Sequence, residues 1–310
     1  MPVGGASFLP DGGRMGNVIA FMPASGGVGS STLAAAVAVR ARAAGRTVVA
    51  VDLDPLAGCF DVVFGLEQEP GWRWPELADV AGVVDGLGLA DELPVSCGVP
   101  VLSGRRGASW DGRIAGPAGW QGSGAGERSG AGERSGGWER SGSSDESGAG
   151  DFAGWLDTLP DVVAGLADAH DLTVLDLPRD PAVLDAVALL VDAVVVVVGT
   201  QVPQLAAASA VVSGGRGLLH RRRDAGRAWE SDPLLPIEPW VVLRGRRVEA
   251  DLQDLVMDDL DVPLVATIGD DRRLVAEVCE GLPPGARGRG EVVRAADELL
   301  LRLIDQAVAA

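Results

Sequence analysis

The segment Ser25-Gly26-Gly27-Val28-Gly29-Ser30-Ser31-Thr32 concentrates glycines and hydroxyls between two apolar runs, Val18 to Met22 closed by Pro23, and the alanine-rich Leu33 to Ala44. A glycine-rich turn that joins a buried strand to a helix presents backbone N–H groups and the positive end of the helix dipole to an anion such as phosphate. Acids recur at corresponding places further on. Asp52 and Asp54 follow the apolar run Thr47 to Val51, and Asp176 follows Leu172 to Leu175. Carboxylates at strand C-termini in α/β folds face the ligand crevice, whereas a solvated strand-end turn is the plainer alternative. His170 and His220 are singletons with no Ser or Cys nucleophile arranged beside them, so acid–base chemistry is not indicated. Cys59, Cys97 and Cys279 lack metal-ligand spacing and are odd in number. They predict neither a zinc site nor a disulfide framework, but buried unpaired thiols.

Several elements must position these residues. Val18 to Met22 and Thr47 to Val51 predict buried strands, with Leu33 to Ala44 as a helix between them, ended by Gly45. Val99 to Leu102 predicts a third strand. Beyond it come a helix from about Phe152 to Ala169, the strand Leu172 to Leu175, a helix near Ala182 to Leu190 and the strand Ala193 to Gly199. The remainder predicts a helix near Gln204 to Leu219, a strand at Trp240 to Leu243, a helix around Glu249 to Met257, a strand at Pro263 to Ile268 and a last helix over Glu291 to Ala309. Such alternation means a mostly parallel sheet covered by helices on both faces.

Composition interrupts this pattern twice. Residues 1–16 are rich in Gly and Pro and predict a flexible tail. Residues 105–150 are dominated by Gly, Ser, Glu and Arg, with the near-repeat Gly124-Ala125-Gly126-Glu127-Arg128-Ser129 and Gly130-Ala131-Gly132-Glu133-Arg134-Ser135. Too little apolar surface is present there to offset ordering entropy, which predicts a disordered insertion. Because strands and helices alternate on both sides of it, the insertion interrupts one domain, 17–104 and 151–310, and does not separate two. A partner-docking segment using Trp110, Trp120 and Trp138 is the functional alternative.

The complete phosphate-loop pattern G-x-x-x-x-G-K-[ST] adds a lysine for the β/γ-phosphates and a hydroxyl for Mg2+. Here Ser31 supplies the hydroxyl and Ser30 stands at the lysine position. The segment from Ser25 to Thr32 resembles the deviant Walker A motif of MinD/ParA proteins, K-G-G-V-G-K-[ST]-T, with both lysines replaced by serine. The resemblance continues in order through Val51-Asp52-Leu53-Asp54-Pro55, through Val174-Leu175-Asp176-Leu177-Pro178, which is similar to the Walker B segment, and through Val262 to Arg273, similar to the adenine-side loop and the helix after it. The absent P-loop lysine and the Asp-Leu-Pro-Arg ending are more like the CpaE/TadZ branch, especially the actinobacterial septum site-determining proteins.

The resemblance implies a three-layer P-loop NTPase fold and an ATP site with Mg2+. It implies that Ser25, Gly26, Gly27, Val28, Gly29, Ser30, Ser31 and Thr32 bind nucleotide and that Ser31 ligates Mg2+, with Asp176 holding its water shell and Asp52 close by. Asp54 would orient the attacking water, as a role that is vestigial if hydrolysis is lost. Arg272, beside Arg273, falls where the family contacts base or ribose; ordinary helix-start surface charge is the alternative. Loss of a charge-assisted hydrogen bond weakens binding by about ten- to more than a hundredfold, so millimolar ATP can still bind. Loss of the cation on the transferred phosphoryl removes roughly 10³ to 10⁵ in rate, so hydrolysis is expected near background unless another arginine substitutes. Arg179 is the candidate, against an ordinary ion pair with Asp180.

All 26 basic residues are Arg, and the net charge of −18 opposes non-specific DNA binding. One basic island runs through Arg216, Arg221, Arg222, Arg223 and Arg227, with Arg244, Arg246 and Arg247 beyond it. No apolar run is long enough to span a bilayer, and the acidic last helix, with Asp297, Glu298 and Asp305, is unlike a basic interfacial helix. The expectation is a cytoplasmic homodimer that positions division or pilus/secretion machinery through a protein partner, recruited to the inner membrane face, septum or pole. The competing expectations are an active partitioning ATPase that holds DNA through the basic island, and a nucleotide-free adaptor.

Overall fold

The computed structural model describes residues 16–54, 58–78, 80–104, 147–212 and 239–309. Strands β1 (Asn17–Pro23), β2 (Val48–Asp52), β3 (Val95–Ser96), β4 (Val99–Leu102), β5 (Leu172–Asp176), β6 (Ala193–Gly199), β7 (Pro239–Arg244) and β8 (Leu264–Ile268) form one eight-stranded sheet. Its order is β3-β4-β2-β5-β1-β6-β7-β8. All neighbours pair parallel except the β3–β4 hairpin. The chain leaves β1 toward β2 on one side and later fills β6 on the other, so the carboxyl end of β1 lies at the switch point where open α/β sheets bind ligands.

The continuous apolar strands are explained by cover on both faces. In β6, Val194, Val196 and Val198 enter one core while Ala193, Val195 and Val197 enter the other. On the second face pack α1 (Ser30–Ala43), α2 (Phe60–Val63) and α9 (Glu291–Ala309), with Leu274 of α8 (Arg272–Cys279) against the same cluster. The first face is covered by α3 (Gly86–Glu92), α4 (Ser147–Ala169), α5 (Pro181–Val187), α6 (202–212) and α7 (Ala250–Leu260). Alanine suits α1 because it runs buried from Leu33 to Val39 between the sheet and α9, where larger side chains would hold the layers apart. Arg40 of α1 reaches Asp297 of α9 at 2.8 Å.

Three expectations shift. Helix α4 begins at Ser147, within the tract assigned to the insertion and ahead of the expected start near Phe152; Gly148 and Gly150 hide its first turn because glycine carries low helix propensity. The helix expected over Gln204 to Leu219 occupies 202–212, its remainder lying outside the described residues, as do residues 1–15 of the expected tail and residues 105–146. All three cysteines are exposed and not buried. Cys97 sits at the tip of the β3–β4 turn, where Cys97 at φ 51° and Gly98 at φ 77° give the positive pair of a type I′ hairpin, and Cys59 and Cys279 lie on the rim of the cleft described next.

Candidate functional site

The phosphate loop leaves β1 at Pro23 and enters α1 at Ser30. Gly27 at φ 74° and Gly29 at φ 87° bend it back on itself, a left-handed conformation that any Cβ would strain. Gly29 is the N-cap of α1 and no side chain caps the helix, so its first N–H groups remain directed at the loop's concavity. A cleft of about 490 Å³, within the usual range for small-molecule sites, is lined by Gly26 through Thr32 on one side. Its opposite wall is apolar and comes from Leu274, Val275 and Val278 of α8 with Ile268 and Val292.

The acids stand beside the loop. Asp52 and Asp176 are register partners at the ends of β2 and β5, and both are buried. The Asp52 carboxylate accepts the N–H of Asp54 at 3.0 Å and of Phe60 at 3.1 Å, which hold the chain folded back after β2. The close approach explains Gly58, where a Cβ would collide with Asp52 Oδ2 and the Asp54 carbonyl. Trp74 fixes the strand end from the other face, its indole N–H donating to the Asp52 carbonyl at 2.6 Å while its ring packs edge-on to Trp155. Burial pushes the Asp52 carboxyl up to about 7 against those two N–H donors, and the charges of Asp54 and Asp61 push the same way. Asp176 is raised well above the ordinary carboxylate range, first by burial and then by the charge of Asp52, while a hydrogen bond with the Ser31 side chain opposes this. At the rim, partial withdrawal of its thiol from water, on a residue that is exposed as a whole, and then the charges of Asp52 and Asp176 push Cys59 up to about 11.

A buried carboxylate pair of this kind asks for positive charge. Among the described residues no group of three or more His, Cys, Asp or Glu forms a metal cage. The Asp52 and Asp176 pair suits Mg2+, which is typically held by one or two carboxylates together with phosphate oxygens and water. Ser31, Asp176 and Asp52 would hold it, and Mg2+ would supply charge neutralisation for the phosphates. The loop itself fits an anion: a Cβ built at Gly26 or Gly27 meets nothing within 4 Å, leaving the concavity open. Ser30 lines the cleft and its Oγ is buried with no hydrogen-bond partner among the described residues, and Ser25 Oγ is likewise unpartnered. The lysine positions are thus occupied by hydroxyls with unused hydrogen-bonding capacity.

The structure brings Ser31, Asp52 and Asp176 together at the loop, with Gly26, Gly27, Val28, Gly29, Ser30 and Thr32 lining the cleft. Asp54 lies half-buried just beyond Asp52 and outside the lining residues. Arg272 opens α8 on its exposed side and does not line the cleft, whose α8 contacts begin at Leu274. Arg179 is exposed on the turn after β5 and is also absent from the lining; Asp180 instead caps α5 through Ala182 N at 2.9 Å. His170 is structural, its Nδ1 lying 2.8 Å from the Leu166 carbonyl at the end of α4. Sequence reasoning missed Arg244 as a site residue. It ends β7, lines the cleft and donates from Nη1 to the Gly27 carbonyl at 3.0 Å. The signal was its position at a strand's carboxyl end, the same criterion that singled out Asp52 and Asp176. Arg216, Arg221, Arg222, Arg223 and Arg227 lie outside the described residues.

No family model matches the chain. Over 108 residues it is 43% identical to an uncharacterized protein of Mycobacterium tuberculosis found in two strains, a match that spans 34% of this chain and 29% of the relative's length. Among solved structures it is similar to a ParA family ATPase of Chlorobium tepidum, with a TM-score of 0.61, 13% identity and coverage of 92% of this chain and 98% of that one. An ATP complex of a McdA variant from Cyanothece gives a TM-score of 0.60 at 11% identity, covering 93% and 97%. The septum site-determining protein MinD of Pyrococcus horikoshii, complexed with Mg-ADP, gives 0.56 at 17%, covering 92% and 96%. The eight-stranded, mostly parallel sheet with helices on both faces is therefore the P-loop NTPase fold shared by MinD and ParA proteins. No described helix is long and apolar enough to cross a membrane.

Proposed function

We propose that the chain is a spatial-positioning P-loop protein that binds Mg-nucleotide weakly and hydrolyses it little or not at all. The observation that carries this reading is the combination of a retained cradle with lost lysines. Gly27 and Gly29 keep the left-handed bends, Ser31 keeps its hydrogen bond to Asp176, and Ser25 and Ser30 stand unpaired where cations would neutralise a transferred phosphoryl. Backbone N–H groups and the helix dipole support affinity, whereas turnover needs the charge that is gone. Similarity in fold to MinD, ParA and McdA proteins, one bound to Mg-ADP and one to ATP, supports nucleotide as the ligand. The finer reading is a homodimer of the CpaE/TadZ or septum site-determining kind, which marks a place for division or pilus/secretion machinery through a protein partner.

Isothermal titration with ATP and Mg2+, beside a phosphate-release assay and light scattering on a sizing column, tests this. Measurable binding with turnover at background is expected, and Ser30→Lys should tighten binding by roughly one to two decades. Robust wild-type hydrolysis would overturn the reading in favour of a partitioning ATPase, an outcome reinforced by salt-sensitive DNA retention. Absence of any nucleotide binding would leave the adaptor.

A further inference from the structure

Resting on the nucleotide site above, we infer that Arg244 is a nucleotide-binding residue that grips the base-proximal phosphate of a nucleoside di- or triphosphate, on the side of the loop away from the acidic pair. Its backbone is fixed at the end of β7 between Gly199 of β6 and Ile268 of β8, so the side chain starts from a rigid platform. From there the guanidinium crosses to the phosphate loop, donating to the Gly27 carbonyl at 3.0 Å and lying in van der Waals reach of where a Gly29 Cβ would stand. Its other neighbour, Asp270, is 3.7 Å from Nη2, too long for a hydrogen bond. Most of the arginine's N–H donors therefore remain available, and the side chain is only partly exposed at 36%. The buried, unpartnered Oγ of Ser30, a residue that lines the same cleft, is an independent mark that a polar ligand belongs beside it.

Sheet order fixes which end of the ligand Arg244 meets. Asp176 ends β5 and Arg244 ends β7, with β1 and β6 between them. At about 4.8 Å per strand the two ends are separated by roughly 14 Å. Mg2+ and the terminal phosphate belong with Ser31 and Asp176. Arg244 stands instead where the loop meets the apolar wall of Leu274, Val275 and Val278, a surface suited to a planar base. A guanidinium there can bond phosphate oxygens and stack on the base. Its contribution is to affinity, shared by ADP and ATP, and it does not replace the lost lysines in catalysis.

The test is titration of ADP and ATP, each with Mg2+, into the full chain, Arg244→Ala and the control Arg247→Ala, which makes the same change in charge at an exposed position. Arg244→Ala should weaken ADP and ATP by the same factor, roughly ten- to a hundredfold, with Arg247→Ala within about twofold of wild type. Equal affinity of Arg244→Ala and wild type overturns the inference and leaves the nucleotide reading standing. So does tighter binding, which would make Arg244 a plug, or a loss confined to ATP, which would move it to the terminal phosphate. Wild type that binds neither nucleotide defeats the nucleotide reading and this inference with it. Should Arg244→Ala lose its cooperative melt, Arg244→Lys is read by the same criterion: an equal, smaller loss for both nucleotides supports the grip, and no loss overturns the guanidinium's role.

Discussion

At the scale of single residues the site is dominated by Asp52 and Asp176, two carboxylates placed side by side by strand register and withdrawn from water. The sign of the consequence follows from Asp52, whose carboxyl is raised by burial from its ordinary value to about 7. Between about pH 4 and 7 the folded chain holds a proton that the unfolded chain releases, so stability falls as pH rises through that window. The contribution is fully present below pH 4 and lost by pH 7, with a ceiling on the order of 4 kcal/mol for a three-unit shift. Asp52→Asn removes the Asp52 share of this dependence, leaving that of the buried Asp176, and leaves one of the N–H groups of Asp54 and Phe60 facing an amide NH2, which costs about 1–3 kcal/mol at every pH. The variant is therefore expected to melt below wild type at pH 4.5 and to approach or pass it at pH 8 in Mg2+-free buffer. Melting curves that stay parallel across this range would show that Asp52 does not carry the buried proton. Adding Mg2+ at pH 8 should raise the wild-type melting temperature more than that of the variant.

At the scale of elements, the strand–loop–helix unit separates two functions of glycine that sequence alone runs together. Gly29 at φ 87° is required by the backbone itself, whereas Gly26 is not in the left-handed region and a Cβ there meets nothing in the protein. Gly29→Val should lower stability by at least about 1–2 kcal/mol through left-handed strain and abolish Mg-ATP binding, while Gly26→Ala should leave the melting temperature within about 1 °C. Any loss of affinity in Gly26→Ala then reports intrusion into the open cleft. Equal melting temperatures for the two variants would contradict the φ assignment. This unit was legible in the sequence because its signals are local: a buried run, a glycine turn, an alanine-rich helix. Strand β6 and helix α9 were legible to their boundaries for the same reason. Helix α3 was not, since Gly86 and Gly88 argue against a helix; their use becomes apparent only in three dimensions, where a Cβ on Gly86 would strike the Gly165 carbonyl of α4. Arg244 escaped because its partner Gly27 is 217 positions away, and its charge grouped it with the basic island instead. Trp74, which secures the Asp52 strand end, had no spacing signal at all.

At the scale of the whole molecule, the sheet brings the end of β4, after which the sequence's longest polar tract begins, to the same edge as the acids. Strand β4 pairs with β2 in a register that sets Leu102 against Val51, one residue before Asp52, and the Ser103 carbonyl accepts the N–H of Trp74 at 3.1 Å. The chain between β4 and α4 therefore departs from the carboxyl edge of the sheet, next to the acids. Thermodynamically a long connection there is tolerated, because each doubling of a flexible loop adds only about 0.6 kcal/mol. Among the described residues both cores are filled on either side of it: α4 contributes Leu159, Val162, Val163 and Leu166, and β4 contributes Val99, Val101 and Leu102. Replacing the residues between Gly104 and Ser147 with a short Gly/Ser linker should then preserve a single cooperative melt within a few degrees of wild type, since the shortened connection returns roughly 1–2 kcal/mol of closure entropy and keeps all of these core residues. Limited proteolysis of the intact chain should cut first inside that tract. A shortened chain that fails to melt cooperatively would mean that the tract forms part of the domain, and nucleotide affinity that falls while the melt is unchanged would assign the tract to the cleft instead of to the fold.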